Sequence, residues 1–349
     1  MMAEKELTIN ALPAKTWRWM KMNDSRVRWP EADASCMAVC AGNAAALSLT
    51  VPETGCGPET EALFADVSPL CFTADKPGED TVVRIDLTAP EGKSAAQSVY
   101  LSVAEGCTMT AVMTYHGGAE SALAVQTKLT LGTGAKLRLI QTQLMDSSAQ
   151  LLNDIGGLCG RNAAVELVQA FPGTAKTYAG CALALSGDGS SAKLDLGYLA
   201  SGTQVIDMNY VLRHTGKKTT CEINASGALR DAARKIFRGA IDFKHGSAGS
   251  AGDEKETVLL LGDDVVNQTV PLILCAEEDV EGNHGATIGK LDDELLFYLE
   301  SRSMNREQIY EMMAMAKVDA VCRKIPDAAT RAKVQEFLGR AGEEEEAEE

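Results

Sequence analysis

The chain has 349 residues with 10 cysteines and 5% aromatic content, and its 33 Lys and Arg against 49 Asp and Glu give a formal charge of −16. That length accommodates a sizeable core without disulfide staples, in one large domain or two to three smaller ones. The acidic balance repels phosphate backbones and anionic lipid heads, which argues against nucleic-acid or membrane binding as the main activity and suits a partner with basic or apolar surface.

The opening segment "MMAEKELTINALPAKTW" lacks the basic cluster, apolar run and small-residue cleavage site of a secretory signal. No later stretch supplies about 18 uninterrupted apolar residues, so a cytoplasmic protein is expected, with its cysteines kept as thiols. Only Cys36 and Cys40 lie close together, and no CxxC pattern announces a preformed zinc or ferredoxin-type site. Residues 1–100 mix strand-like runs, such as "TVVRIDLTAP" from Thr81, with Pro and Gly turns, and are expected as a mixed N-terminal subdomain.

Over residues 101–290 short apolar-polar alternations recur between Gly, Asn, Asp and Ser. The runs "AKLRL" from Ala135, "AAVEL" from Ala163, "AKLDL" from Ala192 and "TTCEI" from Thr219 start 28, 29 and 27 residues apart. A second strand-like run lies between successive copies, which fits stacked coils of two strands each. The predicted inward pairs are Leu137 and Leu139, Val165 and Leu167, Leu194 and Leu196, and Cys221 and Ile223. The expected class is mainly β with a β-helix or related solenoid core, and a sandwich would give the same short alternating strands.

After Gly289 the period changes to that of a helix. Leu291, Leu295, Leu296 and Leu299 share one face, and Ile309, Met312, Met313, Ala316 and Ala320 form a second predicted stripe. Asn305 followed by Gln308 has capping-box spacing, Pro326 and Asp327 mark a break, and "AATRAKVQEFL" predicts a last short helix. Residues 291–340 are therefore a predicted helical domain. The acidic stretch at 341–349 is expected to be disordered, because it buries nothing and repels itself.

"HGATIGKLDDELLFYLESR", from His284 to Arg302, resembles the signature of the SufB/SufD family of SUF iron–sulfur cluster assembly subunits. "RHTGKKTTCEINASGALRDAARKIFRGAI" from Arg213 and "ETVLLLGDDVVNQTVPLILCAEEDV" from Glu256 are similar to the strands that precede that signature, and "ALPAKTWRWMKMN" is similar to the family's N-terminal Pro and Trp segment. The resemblance implies a right-handed parallel β-helix core, an N-terminal domain, and a C-terminal helical domain that docks on an ABC-type ATPase, SufC. At the signature the chain is more similar to SufD, since Gly285 stands where SufB carries a second glutamate.

What the resemblance implies for the site centres on His284 as a metal ligand to a transient iron–sulfur cluster. Gly282 stands at a usual SufD cysteine position and Val265 at the SufB one, so further ligands are expected from a partner chain, with Cys275 as the local reserve. Cys275, by its own alternation with Ile273, is expected first as an inward-facing small residue. His214, which ends a strand before the turn "TGKK", is expected to make a structural hydrogen bond. ATPase contacts are expected among Leu291, Leu295, Leu296, Phe297, Tyr298, Ile309, Met312 and Met313, and pairing with a SufB-type paralogue or a second copy through strands between Thr257 and Cys275. The sequence holds no GxxxxGK[ST] loop, so no nucleotide is expected to bind directly.

The functional expectation is a non-catalytic scaffold or partner subunit of cluster assembly. The alternative is a β-helix polysaccharide lyase or hydrolase, which requires convergent carboxylates or basic residues on one strand face.

Overall fold

Alternating runs bounded by turn residues fold into strands, and most of these are ten residues long. The computed structural model describes residues 4–16, 18–42 and 46–339, so Trp17 of the N-terminal segment and the acidic stretch at 341–349 lie outside the described residues. Strands β1 (Glu4–Ile9) and β2 (Ser25–Pro30) form an antiparallel pair and are followed by β3 (Met37–Ala41). The chain continues through β4 (Leu70–Ala74), β5 (Asp80–Ala89), β6 (Ser94–Val103), β7 (Thr108–Gly117), β8 (Ala122–Leu131), β9 (Lys136–Met145), β10 (Gln150–Cys159) and β11 (Ala164–Phe171). Then come β12 (Lys176–Leu185), β13 (Ser191–Ala200), β14 (Val205–His214), β15 (Thr220–Arg230), β16 (Arg234–Phe243), β17 (Ser250–Leu261), β18 (Val266–Cys275) and β19 (Val280–Gly289).

From β4 onward the strands alternate between two parallel sheets, the even-numbered in one and the odd-numbered in the other. This is a parallel β-solenoid of eight coils, each giving one strand to each sheet. The stack begins at Leu70, inside the stretch expected as a separate subdomain. Its first members were obscured there by the short β4 and by β3, which runs antiparallel to β5.

The turns repeat as faithfully as the strands. Gly106 and Gly134, both at φ +66°, donate their N–H groups to Thr133 and Arg161 of the following coils at 2.9 and 2.7 Å. Asn162 takes the same left-handed position at φ +53° and donates to Asp188 O at 2.9 Å, as an Asn can at modest strain.

The core lies between the two sheets, and all four predicted inward pairs are buried there. The stacking partners differ in one coil. Leu139, Leu167, Leu194 and Ile223 form one column, while Leu196 stacks on Gln169 and Ala225. The third predicted copy is thus displaced by two residues, a shift that a period-two pattern cannot detect because it leaves the inward face unchanged.

Both outer faces are also covered. On the even-numbered sheet the β1–β2 pair packs Leu7, Ile9, Val27 and Trp29 against Ala96, Ala124, Leu152 and Tyr178. Buried Asp207 locks it there, accepting from Asn10 Nδ2 at 2.8 Å and from the Arg238 guanidinium at 2.6 Å. On the odd-numbered sheet lie α2 (Arg306–Cys322) and α3 (Ala328–Phe337), with α1 (Asp293–Ser301) packed against α2.

The predicted capping box of α2 is present, with Asn305 and Gln308 each bonding the other's backbone at 2.9 Å. The buried side of α2 carries Ile309, Ala314, Val318, Val321 and Cys322, and Ala316 and Ala320 are exposed, contrary to the predicted stripe. Alanine suits either face of a helix; the β-branched Val318 and Val321, packed over Val168, Leu199 and Ala228, set the phase. Among the described residues no helix is long and apolar enough to cross a membrane.

Candidate functional site at the open end of the solenoid

β18 and β19 are the last strands of their sheets, so no further coil covers them. Their inner faces, which in any earlier coil would be core, open to solvent. His284 lies in β19 with its ring exposed, in register with Glu254 of β17. Cys275 ends β18 in register with buried Phe243, yet it is exposed and its thiol lies 3.1 Å from the Glu277 carbonyl oxygen. The expectation of a buried, core-facing Cys275 is therefore corrected, because the coil that would bury it is absent.

Two flanking positions behave differently. A Cβ at Gly285 would meet nothing within 4 Å, so the backbone beside His284 is accessible. At Gly282 a Cβ would come 3.1 Å from both Ile273 and Phe243, so the space is already filled. Val265 packs against the solenoid core. Neither Gly282 nor Val265 supplies a ligand, and among the described residues no three His, Cys, Asp or Glu side chains converge as a metal cage.

Beneath His284 lies a cluster of charges. Lys235 and Glu256, both buried, form an ion pair inside the solenoid. Tyr198 OH donates to Glu256 Oε1 at 2.9 Å and Thr269 Oγ1 to its other oxygen at 2.6 Å. Burial pulls the Lys235 ammonium below its usual range, against the Glu256 carboxylate that holds it up. Glu254, 2% exposed, has a carboxyl oxygen with no partner. Burial, reinforced by the Glu256 charge, pushes its pKa up to about 8. Sequence reasoning missed these residues, although a signal exists: the register sets Glu254 beside Ile223, in a column that is apolar through Leu194, Leu167 and Leu139, with Glu256 two residues on beside Ala225.

His214 is fully buried. Its Nδ1 lies 2.7 Å from Thr219 Oγ1, its Nε2 3.2 Å from Cys221 Sγ, and its ring packs on Phe243. Burial drops the imidazole to about 4 and lifts the Cys221 thiol to about 12, so both are neutral near pH 7 and bond as a structural pair.

The helical candidates divide by exposure. Phe297 (73%), Tyr298 (51%) and Leu295 (39%) form an exposed apolar patch on α1, with Arg302 stacked over Tyr298 at 5.1 Å. Leu296 and Ile309 are buried within the chain and so support the helices instead of facing outward. Leu291 and Met313 are half-buried against the outer cluster, and Met312 is half-buried as well.

Comparison with known proteins places this geometry. Residues 85–317 match the family described as "SUF system FeS cluster assembly, SufBD core domain". The chain is 24% identical over 189 residues to the iron–sulfur cluster assembly protein SufD of Bacillus subtilis, a match covering 54% of the chain and 43% of that relative. SufD of Escherichia coli is 26% identical over 46% of the chain and 37% of its own length, and SufB of B. subtilis 23% identical over 48% and 36%. The matched region thus spans less than half the length of these curated relatives. With two thirds of its residues inside the family match, including strands β6 to β19, the chain belongs to the SufBD core-domain family, and proteins named SufD and SufB are both among its relatives.

Proposed function

We propose that the chain is a non-catalytic scaffold subunit of cytoplasmic SUF-type iron–sulfur cluster assembly, in which His284 contributes one ligand to a cluster held transiently between chains. The observation that carries this reading is the exposed imidazole on the inner face of an uncovered coil, in the segment that matches the family. Imidazole is a competent iron ligand, and thiolates supply most cluster bonds. This chain offers one exposed thiol nearby, Cys275, so the partner brings the rest.

Two surfaces fit the partners of such a scaffold. The unpaired edges of β18 and β19 suit a second scaffold chain, SufB-type or a copy of this one, since pairing would satisfy their open backbone groups. That moves the expected pairing segment toward the chain's last strands, because β17 is already covered by β19. The α1 patch of Leu295, Phe297 and Tyr298 suits the SufC-type ATPase, with residues 291–340 as the docking unit.

The test is a reconstituted system containing all subunits. His284→Ala should keep the fold and the ATPase complex while cluster yield falls at least severalfold, and an unchanged yield would remove His284 from the ligand set. Phe297→Ala with Tyr298→Ala should abolish ATPase capture. Deleting everything from Leu291 is a poor substitute, because it would strip α2 from Val168, Leu199 and Ala228 and expose that sheet face.

A further inference from the structure

The basic residues of this acidic chain are unevenly spread. Residues 1–30 hold six Lys and Arg against three Asp and Glu, the reverse of the balance elsewhere. Three of those cations, Lys15, Lys21 and Arg26, line an open cleft of about 850 Å³ together with Asn23, Asp24 and Ser25. Among the described residues none of the three is in an ion pair, although acids outnumber bases in the chain. Bringing like charges together without neutralising them costs energy, so their convergence calls for a physical reason.

The cleft stands on a fixed base. Leu12 N donates to Asn23 O at 2.8 Å and closes the loop between them, and Leu12 and Met22 pack on Val270 at the outer face of the even-numbered sheet. Buried Arg238 holds the floor, donating to Met22 O at 2.7 Å and to Ser25 Oγ at 3.0 Å. Lys15 and Lys21 thus come from the two limbs of one anchored loop, and Arg26 from β2. Two details aim this frame at a ligand. Asn23 is only 8% exposed, and its Oδ1 accepts from Thr16 N at 2.7 Å and from Thr16 Oγ1 at 2.9 Å. Those bonds fix the amide, and its Nδ2 donor has no partner among the described residues. Lys21 is held at φ +52° just after the short 3₁₀ turn Arg18–Met20, a left-handed position that glycine or asparagine usually fills. Strain of this kind is kept at ligand clamps, and no hydrogen bond or ion pair of the Lys21 side chain among the described residues accounts for it.

We infer that this cleft binds a soluble anion of the diphosphate class, carrying two or more phosphoryl groups. Three cations against the single Asp24 leave a site of net positive charge, which suits a multiply charged anion better than one carboxylate. The Arg26 guanidinium meets phosphate oxygens as a planar fork, the two ammonium groups meet them as point charges, and Asn23 Nδ2 adds a neutral donor of fixed direction. The volume falls in the range of small-molecule sites and exceeds what a lone phosphate fills. The chain-wide negative charge repels such anions, and the cleft is where that charge is locally reversed. It lies on the outer face of the even-numbered sheet, whereas His284 belongs to the odd-numbered one, so the inference does not rest on the cluster reading.

The test titrates the full chain with pyrophosphate by calorimetry at low salt, where exposed charges are least screened. One pyrophosphate should bind per chain. Lys21→Gly and Arg26→Ala should each weaken binding at least about tenfold. Neither side chain has a partner in the chain to lose, so both variants should fold, and Lys21→Gly should keep a thermal midpoint at least as high as the wild type because glycine takes a positive φ freely. Asn23→Asp keeps an oxygen for Thr16 and puts a second acceptor where the donor was, so it should abolish binding. Lys136→Ala, which removes an exposed lysine of the odd-numbered sheet, should leave it unchanged. A wild-type chain that takes up no pyrophosphate overturns the inference, as does a loss on Lys136→Ala equal to that on Lys21→Gly. Binding to phosphatidylserine vesicles without binding to pyrophosphate would make a lipid surface the source of the phosphate, and would overturn the soluble ligand.

Discussion

The two ends of the solenoid have been finished in opposite ways. At the first coil, β4 is cut to five residues and β3 lies antiparallel along β5, and inner residues Phe72, Val83 and Ile85 are at most 3% exposed. At the last coil, β18 and β19 keep all ten residues, no strand among the described residues pairs with their open edges, and Ile288 is 45% exposed, with His284 and Cys275 exposed as well. Short strands and a reversed neighbour are devices that discourage edge-to-edge pairing. A full-length parallel edge with apolar residues on its inner face invites it. The first end is finished as a boundary, and the last keeps the open edge that the proposed pairing would use.

The strongest way to break this comparison is to place the same charge in the middle of the stack and at its mouth. Leu194 is fully buried between Leu167 and Ile223. Leu194→Asp would combine a lost core side chain with an unpaired buried charge, and should cost at least about 4 kcal/mol, enough to unfold a domain of ordinary stability. Circular dichroism and yield of soluble protein read the outcome directly. A cooperative, near-wild-type unfolding transition would mean that the coils do not depend on one another as a continuous core requires.

The buried histidine of the stack sharpens it further. His214 is buried and its pKa is depressed to about 4 from 6.5. The folded chain therefore favours the neutral ring, the unfolded chain binds the extra proton between those values, and stability must fall as pH drops through that window. The whole effect is about 3 kcal/mol, complete only below pH 4. Denaturant titrations at pH 7 and pH 4.5 should show a smaller pH-dependent loss for His214→Gln than for the wild type. An equal loss in both would assign the acid sensitivity to other groups.

What the sequence revealed and what it hid follow from period and from context. Alternation identifies the inner face, which is why Leu137, Val165 and Ile223 are all core, yet it cannot choose between registers two residues apart, which is how Leu196 came to be aligned in place of Leu194. The Asn305 capping box is local and was legible. The phase of α2 was not, since Ala316 and Ala320 fit either face. At the site His284 stood out by its motif, whereas Glu254, Glu256 and Lys235 look like any charged residues of a strand until register places them inside. Cys275 is exposed because no further strand covers β18 among the described residues, and no local pattern records that.

The smallest expected effect is the most discriminating. Ile288 continues an inner column, in register with Val258, which is 2% exposed one coil earlier. Were the stack to continue, Ile288→Asp would be as disruptive as a charge at Leu194. Because the last coil is uncovered, the new carboxylate can stay hydrated, and the isolated chain should lose no more than about 0.5 kcal/mol, the usual range for surface changes. The same substitution in the presence of a second scaffold chain should abolish pairing, since it would bury an unpartnered charge at the centre of the contact. Sedimentation of the variant alone and mixed with a SufB-type chain separates the two effects. A variant that pairs normally would show that β18 and β19 are an end and not an interface, whereas one that unfolds alone would show that the last coil is already covered within the chain.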